Sequence, residues 1–311
     1  VLRNVTIRGG RTSTSGSGAG LYCVGGSGPK VEGCVFFQNG ASDGGGIYCY
    51  QSDPIVVSCS FTDCTASNAG GAIAAHTATP EVRGCTFSSN WAYWGGGVLS
   101  DYRAGTRLYN CEIRSNSTNN LGGAILTSES VSRTEARNCI FHNNASGEQG
   151  GAIYGRNGSI ITVSGCTFMD NTATTGGTIR LFNAAAGNFT NSIVWAQAGY
   201  TNPVVALQTS AAASFACCDV RGGLAGIVKD GSSTVAWGAG NLDADPQFCG
   251  ASQGFLGLRS TSPCAERNNP GCGLIGADER VCSATGVDDD SPPAPAPAGV
   301  RLLAAAPNPF N

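Results

Sequence analysis

Hydrophobic and polar residues alternate over stretches of only three or four positions, as in Val35-Phe36-Phe37, Ile47-Tyr48-Cys49-Tyr50 and Ile153-Tyr154-Gly155-Arg156, before Gly, Asn or Ser interrupts. Strict alternation predicts short strands, and nowhere does a 3.6-residue period run long enough to predict a helix. The interruptions themselves repeat. Cys34, Cys59, Cys85, Cys111, Cys139 and Cys166 are separated by 25, 26, 26, 28 and 27 residues. Two residues after each stands Phe36, Phe61, Phe87, Ile113, Phe141 or Phe168, and three further on Asn39, Cys64, Asn90, Asn116, Asn144 or Asn171. Just before each cysteine sits Gly33, Ser58, Gly84, Asn110, Asn138 or Gly165, mostly residues that tolerate a left-handed backbone. The other half of the unit is a Gly-Gly step followed by a β-branched residue, at Gly44 to Ile47, Gly70 to Ile73, Gly95 to Val98, Gly122 to Ile125, Gly150 to Ile153 and Gly176 to Ile179.

A repeat of about 26 residues built from short strands is too small for a propeller blade and lacks a helical period. It fits one coil of a parallel β-helix, in which each strand pairs with its equivalent in the next coil. Residues two apart share a strand face, so Cys and Phe both point inward and stack into ladders, with an Ile/Val ladder beside them and Asn at a corner. Weaker copies at Asn4-Val5-Thr6-Ile7, Asn191-Ser192-Ile193-Val194 and Cys217-Cys218-Asp219-Val220 bring the total to about eight coils. The expected fold is all-β, a right-handed parallel β-helix over residues 1–227, with an irregular cap over 228–282.

Composition narrows the function. The chain has 311 residues with 46 glycines, and its charged fraction of 13% is about half the usual quarter. Hydrophobic residues make up 41%, enough for a core, and 13 prolines without a three-residue glycine period exclude collagen. A net charge of −3 without a basic cluster gives no footprint for nucleic acid, and no apolar run is long enough to cross a membrane as a helix. Neither cofactor nor metal is implied. Fifteen cysteines would suggest a disulfide framework. Six in one inward column instead behave as small buried hydrophobes, with Ser192 continuing the column. Cys23 and Cys49, in a second column, fit either reading.

The paired GGA[ILV] and FxxN motifs resemble the polymorphic outer-membrane protein repeats, over roughly residues 1–227. That resemblance implies a right-handed β-helix at the outer surface of a Gram-negative-type bacterium, or secreted from it. Cys64 and Gln197 replace the motif's Asn, which predicts breaks in the corner ladder there.

Beyond Val228 the repeat fades. The segment from Asn241 through Asp245-Pro246-Gln247-Phe248 and Ser262-Pro263-Cys264 to Gly276-Ala277 resembles the closing turn of right-handed β-helix proteins. Its irregular cysteines suggest disulfides, with Cys264–Cys272 and Cys249–Cys282 as the preferred pairs. Asp243 and Asp245 read as turn caps, since the loop lacks the oxygen spacing of a calcium site. Residues 283–301 form an Asp/Pro/Ala-rich linker. Residues 302–311 resemble the opening of a type IX secretion sorting domain, or of a related immunoglobulin-like domain. They imply export machinery as a partner and a chain that is a fragment.

On the strand after each Gly-Gly step, positions one and three past the Ile column should face outward. The first set is Tyr22, Tyr48, Ala74, Leu99, Leu126, Tyr154 and Arg180; the second is Val24, Tyr50, His76, Asp101, Ser128, Arg156 and Phe182. This places His76 beside Asp101 as a base and its carboxylate, with Arg156 for an anionic sugar. A long exposed face also brings polar residues together by chance, and paired carboxylates for glycoside hydrolysis are missing from these columns. The Trp91-Ala92-Tyr93-Trp94 loop is either a stacking platform for sugars or packing against its neighbours. Two functions stand: a non-enzymatic adhesion or glycan-binding module using Tyr48, Tyr50, Trp91, Tyr93, Trp94, Tyr154 and Arg180, or a polysaccharide lyase or hydrolase centred on His76, Asp101 and Arg156.

Overall fold

Strands of two to five residues from successive coils pair in parallel along the repeat region. A computed structural model describes residues 1–282 except 14, 198, 200 and 279. The chain winds into a parallel β-helix of about nine turns, whose walls are one ten-stranded, two nine-stranded and one six-stranded sheet. Each coil visits them in a fixed order. The first coils show it: Lys30–Glu32 in the ten-stranded sheet, Val35–Phe37 in a nine-stranded one, Gly40–Asp43 in the six-stranded one and Ile47–Tyr50 in the other nine-stranded one. We call the second wall the cysteine sheet and the last the glycine-step sheet.

The corners are made by residues with positive φ. Before the cysteine sheet these are Gly33, Ser58, Gly84, Asn110, Asn138 and Gly165, at φ 50° to 61°. Before the glycine-step sheet they are Gly18, Gly44, Gly70, Gly96, Gly122, Gly150 and Gly176. Only glycine fits this second corner. A Cβ on Gly70 would lie 2.3 Å from the carbonyl oxygen of Ile73, because the chain folds tightly over the strand it is about to enter.

The inside is ordered into ladders. Phe36, Phe61, Phe87, Phe141 and Phe168 are fully buried, and neighbouring rings stack at 4.6 Å (Phe36–Phe61), 4.9 Å (Phe61–Phe87) and 4.5 Å (Phe141–Phe168). The six column cysteines are free, buried thiols, as is Cys218 in the same column beyond Ser192. The sulfurs of Cys59, Cys85, Cys139 and Cys166 each take a neighbouring backbone N–H, as in Cys34 N to Cys59 Sγ at 3.3 Å, and each column thiol donates to a carbonyl, as in Cys139 Sγ to Leu108 O at 3.6 Å. The stacked geometry therefore satisfies the thiols without oxidation. Asn90, Asn116, Asn144 and Asn171 form a continuous amide ladder, each Nδ2 donating to the next Oδ1 at 2.8–2.9 Å. Asn39 belongs to the same column, and Cys64 interrupts it. Gln197 does not: its side chain is exposed, and its backbone is held instead, the N–H by Asp170 and the carbonyl by Arg221.

Three expectations change. The helix outlasts residue 227: Ile227–Lys229 and Thr234–Trp237 add strands to two sheets, and Asn241 accepts the Cys218 N–H in the cysteine column. Trp237 lies over Phe215 at the end of that ring stack. Second, the following segment does not simply close the end. It runs back along the outside of the cysteine sheet, where Leu258, Cys264 and Ile275 bury the outward-facing Ile193 in a small second core. Gly276 N bonds Asn191 O, and Ala277 N bonds Thr167 Oγ1. Third, Cys272 pairs with Cys217 rather than with Cys264, at a Cα separation of 5.5 Å. Cys217 occupies a positive-φ corner and turns outward, leaving Cys218 to the inner column. Cys264 stays reduced and hydrogen-bonds Asp219 at 3.1 Å. Cys249 and Cys282 are bonded to each other. The linker at 283–301 and the domain start at 302–311 lie outside the described residues.

Candidate functional site

The outward columns of the glycine-step sheet hold the most distinctive surface, and one coil departs from the expected register. Ile73 pairs with Leu99, Ala75 with Asp101 and His76 with Tyr102. The step in this coil is therefore Gly96-Gly97-Val98-Leu99, one residue later than read from sequence. A slip of one residue exchanges the two faces of a strand. Leu99 and Asp101 face inward, both fully buried, and Tyr102 takes the outward place assigned to Asp101. His76 and Asp101 are thus on opposite faces of the sheet and form no dyad.

Asp101 instead anchors a polar pocket inside the helix. It accepts hydrogen bonds from Thr106 and Thr134, both at 2.5 Å, and Thr134 also bonds Thr127 at 2.7 Å. Burial pushes its carboxyl up to about 6, and the two threonine hydroxyls offset only part of that. Asp219, under the C-terminal segment, is raised to about 6 for the same reason. Asp243 and Asp245 act as turn caps, accepting the N–H groups of Gly222 and Gln247.

With Tyr102 outside, the outer column reads Val24, Tyr50, His76, Tyr102, Ser128, Arg156, Phe182. The rings of Tyr50, His76 and Tyr102 form a continuous stack, with centroids 5.2 and 4.9 Å apart, and Tyr22 stacks on Tyr48 at 5.4 Å in the adjacent column. Facing this stack is a groove of about 580 Å³. Its floor includes Ala74, its near wall His76 and Tyr102, and its far wall Asn68 and Trp94 from the loops that precede the glycine corners. Asp43 and Arg156 also line it. Trp94 is 55% exposed and held edge-on by Tyr93, which in turn meets Trp91 edge-on. Trp91 is half-buried and donates through Nε1 to Asn119. Within this loop Trp91 packs against its neighbours and Trp94 is exposed.

The other sequence candidates lie along the same face. Tyr48 is half-buried, and burial together with Asp43 raises its hydroxyl above the ordinary tyrosine range. Tyr154 is buried under the glycine corner, and Arg156 donates from Nε to Ser128 at 3.1 Å. Sequence reasoning missed Tyr102, because the register slip hid it, and Asp43, whose Oδ1 accepts from Asn68 Nδ2 at 2.7 Å and from Ala69 N. The groove's only carboxylates are Asp43 and the sealed Asp101, so no pair of exposed acids converges in it. Among the described residues no cluster of three or more metal-ligating side chains occurs.

These features define a parallel β-solenoid with an aromatic lateral groove. Residues 1–113 and 76–236 match the family model described as a right-handed β-helix region, and the chain belongs to that family. No curated protein and no solved structure matches the chain significantly.

Proposed function

We propose that the protein is a glycan-binding module of a secreted or cell-surface protein, holding a polysaccharide in its lateral groove without cleaving it. The stacked His76 and Tyr102 rings, lining one groove with Trp94 and the small residues Ala69 and Ala74, carry this reading. Sugar rings present apolar faces that stack on aromatic side chains, and the hydroxyls around them need polar partners such as Asn68, Asp43 and Ser128. A rigid, repetitive stalk suits adhesion, because neighbouring coils repeat the same chemistry along the rod. Two disulfides favour an oxidising compartment, in line with the surface location implied by the outer-membrane repeat resemblance. The competing lyase or hydrolase reading is weakened because Asp101 is buried away from His76 and no second acid joins Asp43 in the groove.

Affinity electrophoresis against a panel of neutral and acidic polysaccharides tests the proposal. The native protein should be retarded by at least one of them, Trp94→Ala and Tyr102→Ala should abolish the retardation, and the polysaccharide should be recovered at full length. Shortened chains would refute the non-catalytic reading, and unretarded migration across the panel would refute glycan binding itself.

A further inference from the structure

We infer that the glycan held in the groove is acidic, with its carboxylates bound by Arg156 and Arg180; this rests on the groove being a glycan site. Arg83, Arg114, Arg137 and Arg280 are each paired with an acid two residues earlier, on the same strand face or turn: Glu81, Glu112, Glu135 and Asp278. Arg3 is paired across coils with Glu32. Arg156 and Arg180, on the glycine-step sheet, have no such acid on their strand. Two residues before Arg156 stands Tyr154, and neither arginine has an ion pair among the described residues.

Their placement makes the missing acids significant. Tyr154 pairs directly with Arg180 on the next coil, and Arg156 stands two residues further along Tyr154's strand, on the same face. Both act on the Tyr154 hydroxyl electrostatically, opposing the effect of its burial. Arg156 lines the groove, and Arg180 extends the same face by one coil. Arg180 is half-buried; it donates to Gln208 through Nη2, while its Nε is buried without a hydrogen-bond partner. A buried donor left idle is costly unless an acceptor completes it.

The nearby acids do not fill that role. Asp230 acts on Arg180 only at a distance, and its carboxylate is occupied by the N–H groups of Thr209, Ser232 and Ser233. Glu148 acts on Tyr154 and is exposed. A planar carboxylate matches the fork of a guanidinium, and a uronic acid offers one on every sugar that also has a face for stacking.

The test compares a polyuronate with its fully methyl-esterified form, which keeps the backbone and removes the charge. Calorimetry at low salt should show the polyuronate binding about tenfold or more tightly, with the preference shrinking as salt is added. Arg156→Gln and Arg180→Gln should each bring the polyuronate's affinity toward that of the ester, while circular dichroism and urea unfolding report that each variant is folded. Arg156→Lys should keep part of the preference. Equal binding of both polymers by the native protein would overturn the acidic assignment and leave the groove reading standing. Binding of neither would overturn both.

Discussion

Asp101→Asn separates the register found here from the one the sequence suggests. In the native fold the carboxylate is fully buried, and its proton affinity is raised from 3.8 to about 6. A shift of about 2 units corresponds to about 3 kcal/mol. The sign follows from proton counting. Between pH 4 and 6 the folded state binds the proton more tightly than the unfolded chain, so this stability is full below about pH 4 and is lost as pH rises through 6. Above that it is flat. Urea unfolding followed by circular dichroism at pH 4, 5, 6 and 7 should show native protein losing about 3 kcal/mol more than Asp101→Asn over this range. Asp219, raised to about 6 by its own burial, adds a similar fall to both proteins and cancels in the comparison. Parallel pH profiles for the two proteins would refute the burial of Asp101.

Two further outcomes bear on the interior. Phe87→Ala removes a ring stacked between Phe61 and Ile113 and should cost about 3–5 kcal/mol by chemical denaturation, whereas a loss below 1 kcal/mol would contradict the ladder. Thiol titration of denatured, unreduced protein should find 11 free cysteines, the 15 in the chain less the four in Cys217–Cys272 and Cys249–Cys282. A count of five or fewer would mean that the column is oxidised.

Much of the fold was legible because a solenoid repeats each structural demand. The left-handed corner before every column cysteine selects Gly, Asn or Ser, and stacking puts Phe on Phe and Asn on Asn, so the period and the inward columns stand out in one sequence. The slip arose where three glycines in a row, Gly95-Gly96-Gly97, offer two placements for one Gly-Gly step. Counting from the Asn column does not resolve it, since the corner glycine follows Cys64, Asn116 and Asn144 by six residues but Asn39 and Asn171 by five, which leaves both Gly96 and Gly95 open after Asn90. That shift decided the site, because it moved Asp101 inside and brought Tyr102 out to His76. The Cys217–Cys272 bond had no such signal. Cys217 and Cys218 are adjacent, and only the corner geometry turns one outward. The return of the C-terminal segment along the cysteine sheet was likewise invisible, since Thr167, Ile193 and Asp219 read as outward positions until something covers them.

The groove depends on which side of one strand faces solvent, and site-directed labelling measures that directly. The protein's free cysteines are all buried, so native protein should react slowly with a maleimide. Introduced singly, His76→Cys and Tyr102→Cys should label rapidly in the folded protein, and Asp101→Cys should stay protected until denaturant is added. Rapid labelling of Asp101→Cys with protection of Tyr102→Cys would contradict the register and the groove built on it.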